Sequence, residues 1–152
     1  MRLTKHTDFA LRVLIYAAAN SDRLVTIDET VVACGGLSRG HVMKVIATLG
    51  RAGFIAGQRG RAGGFRLARA PEAIRLGDVL RNTEPDFALV ECMGPTPDCV
   101  ILPACRLPRI MGSARDAFLA EFDRHSLADI ALDRSAFASP STMPGAASHA
   151  AG

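Results

Sequence analysis

Residues 38–69 read SRGHVMKVIATLGRAGFIAGQRGRAGGFRLAR, and this stretch decides the fold. Ser38 has the side chain of a helix N-cap, and the run that follows extends to about Ala52, where Gly53 stops it. Val42, Val45, Ile46 and Leu49 make one apolar face of that helix. His41, Lys44, Thr48 and Arg51 fall within a roughly 80° sector of another face, at about 100° per residue. Phe54 and Ile55 then begin an extended segment, QRGRAGG at 58–64 turns, and FRLAR at 65–69 returns. Phe65 and Leu67 share one side of the returning strand, and Arg66 lies on the other. A helix with a basic outward face, followed by a hairpin tipped with arginines, is the second half of a winged helix-turn-helix.

The upstream residues supply the first half. Thr4 or Thr7 caps a helix that runs to about Asn20, with Phe9, Val13, Tyr16 and Ala17 at helical spacing. It is apolar nearly all round, which predicts a central position. Thr26 opens a second, short helix with Asp28 and Glu29 in its first turn, where the helix dipole favours acids. Cys34, Gly35 and Gly36 break it before Ser38. The Gly-rich loop at 58–64 is not a nucleotide-phosphate loop: it lies between strands, lacks a Lys-Ser/Thr ending and opens no helix.

Charge agrees with a polyanion partner. The net charge is only +3, but it is unevenly spread. Residues 1–69 carry eleven Lys/Arg and four Asp/Glu, and residues 70–152 carry seven and eleven. From Arg39 to Arg69 there are seven basic residues and no acid, which predicts double-stranded DNA as the partner. The candidate contacts are Ser38, Arg39, His41, Lys44, Thr48 and Arg51 on the helix, for the major groove, with Arg59, Arg61 and Arg66 on the hairpin, for the backbone or minor groove.

Downstream, IRLGDVLRNT at 74–83 predicts a short helix. Then Cys92, Cys99 and Cys105 fall within fourteen residues, in ECMGPTPDCVILPACRL. Six residues separate the first pair and five the second, so the short pairing of structural zinc ligands is absent. Soft thiolates at wider spacing suit an iron–sulfur cluster, with a fourth ligand from elsewhere. Pro95, Pro97 and Pro103 argue against regular structure in this loop. From about Leu107 to His125 a long helix carries an apolar stripe of Ile110, Met111, Ala114, Phe118 and Phe122, which closes the monomer core or pairs with a second copy. A homodimer matching two half-sites is the expectation. Ser126 caps a last turn, SLADIAL, and residues 135–152 read as a disordered tail.

The motifs MRLTKHTDFALRVLIYAA, SRGHVMKVIATLGRAGF, RGRAGGFRLAR and IRLGDVLRNTEPDFALVEC, with the three-cysteine loop, together resemble the Rrf2 family over about residues 1–130. The resemblance implies a dimeric winged-helix repressor that carries an iron–sulfur cluster, 4Fe–4S being favoured over 2Fe–2S. EPDFALVEC and Asp8 resemble the nitric-oxide-sensing NsrR type. The family pattern implies Cys92, Cys99 and Cys105 as ligands and Asp8, reaching from the partner subunit, as the fourth. Arg12 is then a residue that holds the carboxylate, although Asp8 and Arg12 also have the spacing of a plain i,i+4 ion pair. Arg106, Leu107 and Pro108 follow Cys105 with no histidine, unlike the cluster-biogenesis regulators of the family. Iron-responsive regulators of the RirA type share the MRLTK start and are the alternative. Cys34 matches no ligand of the family.

The chain is thus read as mainly α with a small β-hairpin. Residues 1–83 form a winged helix-turn-helix, 84–106 the cluster loop, and 107–134 a dimerisation helix with a terminal turn. No catalytic set is legible, so an enzyme is not expected. A non-DNA-binding iron–sulfur redox protein is the competing class, but it has no use for the basic half. The start MRLTKHTDFA has no signal-peptide layout, and the run from Val13 to Ala19 is too short to span a membrane, so a cytoplasmic protein with reduced thiols is expected.

Overall fold

The computed structural model describes residues 2–35 and 38–137. Five helices and one hairpin follow in the order α1 (Lys5–Ala19), α2 (Ile27–Cys34), α3 (Arg39–Arg51), β1 (Ile55–Gln58), β2 (Gly64–Leu67), α4 (Leu76–Thr83) and α5 (Leu107–Arg124). The expected helix starts hold. Thr4, Thr26 and Ser38 each accept a hydrogen bond from the backbone N–H three residues on, satisfying an amide that the helix itself leaves unpaired.

α1 is central. It packs against α2, α3, α4 and β2, and Ala10, Val13, Leu14 and Ala17 are almost fully enclosed. Around them gather Val25, Val45, Leu49, Phe54, Phe65, Ile74, Val79 and Leu127. Each large apolar side chain buried here stabilises the fold by about 1.5–3 kcal/mol. The apolar face of α3 is therefore fixed inward, and its opposite face must meet solvent.

β1 and β2 pair antiparallel with Ile55 opposite Leu67 and Gln58 opposite Gly64. Gly53 ends α3 with φ at +73°, the left-handed geometry that glycine tolerates. Arg69 fastens the hairpin base, donating to the Gly53 carbonyl through Nε at 3.2 Å and a terminal nitrogen at 3.0 Å. The sequence did not reveal one further contact. Val25 and Phe65 exchange two backbone hydrogen bonds, each 2.8 Å, so Val25, just ahead of the cap of α2, borders the hairpin as a third edge. A Cβ at Gly64 would lie 2.6 Å from the Val25 carbonyl oxygen, which is why the strand passes there with glycine.

Two boundaries differ from expectation. α4 begins at Leu76 rather than Ile74. Ile74 accepts from the Leu127 amide at 2.8 Å and the Leu76 amide donates to the His125 carbonyl at 3.0 Å, so a tertiary ladder takes these residues out of the helix. Residues 135–137, expected in the tail, lie in a 3₁₀ turn, Arg134–Phe137. Phe137 packs edge-on against Tyr16, with ring centroids 5.0 Å apart, and Arg134 pairs with Asp22. The rest of the expected tail, 138–152, lies outside the described residues.

α5 has no buried residue. Of the two roles open to its apolar stripe, closing the monomer core is not the one it takes. The Phe118 and Phe122 rings touch at a tilt, 4.9 Å between centroids, and α5 is held to α4 by the bidentate pair Arg81–Asp123, at 2.5 and 2.6 Å. Among the described residues, no helix is long and apolar enough to cross a membrane.

Candidate nucleic-acid interface and cysteine loop

α3 presents His41, Lys44 and Arg51 to solvent, together with Ser38 and Arg39 at its start, and Thr48 is half-buried. The candidates are not equivalent. The Ser38 hydroxyl is engaged by the His41 amide at 3.3 Å and lies 3.0 Å from His41 Nδ1. The His41 ring leans toward α1, 6.0 Å from the Phe9 ring. Arg51 donates toward the Thr48 hydroxyl at 3.4 Å. Lys44 has no ion-pair partner among the described residues, and neither do Arg59, Arg61 and Arg66 on the hairpin. A groove of about 500 Å³ runs between the starts of α2 and α3 and the hairpin, with Arg39, Arg59 and Arg61 on its walls. The structure therefore brings Arg39 of α3 and Arg59 and Arg61 of the hairpin to one groove.

The cysteine loop leaves α4 at Glu84 and enters α5 at Leu107. It contains two 3₁₀ turns, Glu91–Met93 and Leu102–Ala104. Cys92 and Cys105 are half-buried, Cys99 is exposed, and all three are free thiols. The Leu107 amide donates to Cys105 Sγ at 3.4 Å. Among the described residues no three His, Cys, Asp or Glu side chains converge closely enough to hold a metal, so the chain places the three thiols on one loop without gathering them around a point or around Asp8. The donor set itself fits an iron–sulfur group: three soft thiols on one loop, one of them already accepting an N–H bond of the kind that steadies a thiolate.

Asp8 sits in the first turn of α1 and pairs with Arg12 at 2.8 Å, both side chains 48% exposed. At that exposure the pair contributes about 0–1 kcal/mol. Arg12 also donates to the Cys34 carbonyl at 3.5 Å, which links the Asp8 turn to the end of α2. The Cys34 thiol is pushed up to about 11 by burial, with Arg12 pulling weakly the other way. It is therefore a protonated, inert thiol near neutral pH.

Two residues of this region escaped sequence reasoning. Glu84 accepts from both the amide and the hydroxyl of Thr4, at 2.8 and 3.2 Å, and so fastens the loop's origin to the first turn of α1. Asp28 pairs with Arg39 across the α2–α3 turn. Neither partner is within helical reach in sequence, and no local pattern announces such pairs.

Residues 3–133 match the Rrf2 family of iron-dependent transcriptional regulators. A protein of Bacillus licheniformis named HTH-type transcriptional regulator NsrR is 43% identical over 136 residues, covering 88% of this chain and 94% of the relative. Its namesake in Bacillus subtilis is 40% identical over 135 residues, covering 88% and 92%. The solved structure of CymR, the global cysteine regulator of B. subtilis, superposes with a TM-score of 0.65 over 86% of this chain and 96% of that one, at 23% identity, a likeness of fold. A winged helix-turn-helix fold, a family match along almost the whole described chain and two relatives above 40% or at it converge on one statement: the chain belongs to the Rrf2 family of iron-dependent transcriptional regulators, which are not enzymes.

Proposed function

We propose that the protein is a homodimeric DNA-binding repressor whose operator affinity is set by an iron–sulfur cluster, with nitric oxide as the signal. The observation that carries this reading is the order of parts in one chain. The basic face of α3 and the hairpin is followed by the three-thiol loop, and the loop feeds directly into a helix with no buried residue. Leu107 and Ile110 at the start of α5 are 42% and 60% exposed, and loop residues Val100 and Ile101 are 96% and 66% exposed. A second copy of the chain is the partner assigned to that apolar surface. Pairing would space two α3 helices for half-sites about 34–36 Å apart.

Cys92, Cys99 and Cys105 would hold the cluster, with Asp8 of the other copy as oxygen donor and Arg12 steadying the carboxylate. When bound, the cluster supplies an iron whose oxygen ligand is a poorer match than thiolate and leaves it open to nitric oxide. A 4Fe–4S group is favoured, with 2Fe–2S as the alternative. The chain's own residues fix both ends of the loop: Glu84 to Thr4 on α1, and the Leu107 amide to Cys105. Relaxation of a loop anchored in this way moves α1 and α5 together, and with them the spacing of the paired α3 helices.

The test is a gel shift on promoter DNA at two salt concentrations, using anaerobically purified protein before and after nitric oxide, with absorption and Mössbauer spectra alongside. The expected protein is coloured, and nitric oxide bleaches it and releases the DNA in parallel. Binding should also weaken steeply with salt, as phosphate contacts require. A colourless protein, or DNA retained after bleaching, would overturn the sensing scheme, and salt-independent binding would overturn the docking. The iron-dependent description of the family favours iron itself as the second reading. Release by a chelator but not by nitric oxide would select it.

A further inference from the structure

We propose that Asp28 is a specificity-determining residue, which holds Arg39 in position to read a guanine of the operator. The proposal rests on the DNA-binding reading above and adds to it a residue and a base. The groove between α2, α3 and the hairpin has three arginines on its walls, Arg39, Arg59 and Arg61, and among the described residues one carboxylate, Asp28. Asp28 is bonded to a terminal nitrogen of Arg39. Both side chains are open to solvent, 75% and 58% exposed, so the pair adds little to folding.

The chemistry gives the pair another use. A carboxylate in a groove built of cations opposes phosphates, so a bare Arg39 would serve backbone binding better. A carboxylate on one terminal nitrogen of a guanidinium instead restrains where the fork points. The contact takes one terminal nitrogen and leaves the edge formed by Nε and the other nitrogen available for a partner. That edge matches O6 and N7 of guanine in the major groove. Arg39 is the first residue of α3, at the end from which a recognition helix reaches base edges. A cation at a helix N-terminus is opposed by the dipole, and Asp28 offsets that cost. Arg59 and Arg61 have no carboxylate partner among the described residues and are left for phosphates. One groove thus holds two kinds of arginine, one braced and two free to follow the backbone.

The experiment uses the full chain, purified anaerobically, and a pool of duplexes randomised over one half-site. Selection with wild type gives the preferred site. Anisotropy titrations then compare that site, each single-base-pair variant of it and an unrelated duplex, at two salt concentrations. Asp28→Ala should bind the unrelated duplex several-fold more tightly, with a salt slope steeper by about one, because Arg39 becomes a phosphate contact. It should also lose discrimination at one G·C pair on the order of ten-fold. Arg39→Ala should lose discrimination at the same pair, and adding Asp28→Ala to Arg39→Ala should remove no more. Asp28→Asn, which keeps an acceptor oxygen, should retain more discrimination than Asp28→Ala. Equal change on every duplex would overturn the proposal and make Asp28 a plain repelling charge. A lowered Tm with weaker binding to all duplexes would overturn it in favour of a staple between α2 and α3. A wild-type protein with no salt-dependent DNA binding would overturn the DNA reading itself, and this proposal with it.

Discussion

The amide of Thr4 donates to the carboxylate of Glu84 at 2.8 Å, closing a loop of 80 residues between the cap of α1 and the point where the cysteine segment leaves α4. The Asp8 amide in turn donates to the Thr4 carbonyl at 3.1 Å, so the turn that carries Asp8 hangs from this contact. Glu84→Ala should lower stability by about 1–2 kcal/mol, the scale of a hydrogen bond to a charged group that is part-buried. Urea denaturation should show a lower midpoint at unchanged slope. Glu84→Gln keeps the acceptor and should recover most of the loss. A midpoint equal to wild type in Glu84→Ala would show that Thr4 finds another partner.

Gly64 marks the point where the hairpin meets Val25. A Cβ there would stand 2.6 Å from a backbone oxygen that cannot rotate away. Gly64→Ala should cost about 1–3 kcal/mol by overpacking and weaken DNA binding through the displaced hairpin. Gly60 has φ at +118° with open space around it. Gly60→Ala should therefore act through backbone strain alone, and Tm values for the two variants check the contrast.

The four thiols should separate by chemistry. Cys92→Ala, Cys99→Ala and Cys105→Ala should each abolish the visible chromophore, and Cys34→Ala should leave it. In protein stripped of metal, iodoacetamide at pH 8 should label exposed Cys99 well before Cys34, whose thiol titrates near 11 and is half-buried. Peptide mass mapping over time reads the order. Early labelling of Cys34 would contradict its packing against the hydrophobic core.

Acid should loosen α5 first. The Arg81 guanidinium bonded to Asp123 holds its carboxyl below the ordinary value of 3.8, and the Ser126 amide and hydroxyl do the same for Asp129. For a depressed carboxyl the stabilisation is present above 3.8 and is lost as the pH falls through the lower folded-state value. Asp123→Asn should already lack this contribution at neutral pH and show a flatter stability profile below pH 4. Wild-type steepness in Asp123→Asn would place the acid sensitivity elsewhere.

On the DNA face, Lys44→Ala, Arg59→Ala and Arg61→Ala should weaken binding without lowering Tm, since none of the three has an ion-pair partner among the described residues. Hairpin variants should weaken all duplexes alike and reduce the salt slope by about one each. A base-reading Lys44 should cost roughly 1–3 kcal/mol on the preferred site alone. Unchanged binding in all three would rule out this face.

What was legible in the sequence was local. Thr4, Thr26 and Ser38 cap because each needs only an amide three residues on, and Gly53 stops α3 because the stop needs only a positive φ. The illegible parts are contacts between distant residues. Ile74 and Arg75 suit a helix until residues 125–127 claim their backbone. Phe137 is one aromatic in a run of small residues, and only the Tyr16 ring gives it a place. Asp28 reads as a dipole-friendly acid, and its bond to Arg39 depends on how two helices cross. In the cysteine loop the spacing is readable, whereas the positions the three thiols take relative to one another are not written in periodicity at all.

The hairpin is a cantilever. Its root is clamped on two sides, by the Val25–Phe65 exchange and by Arg69 on the Gly53 carbonyl. Its tip, residues 59–63, is closed by a single backbone bond, from the Gly63 amide to the Gly60 carbonyl at 3.0 Å. A beam fixed at the root and compliant at the end can carry Arg59 and Arg61 across phosphates that shift with the curvature of the duplex. In the proposed docking, the cost of that adjustment falls on five tip residues and leaves the seating of α3 untouched.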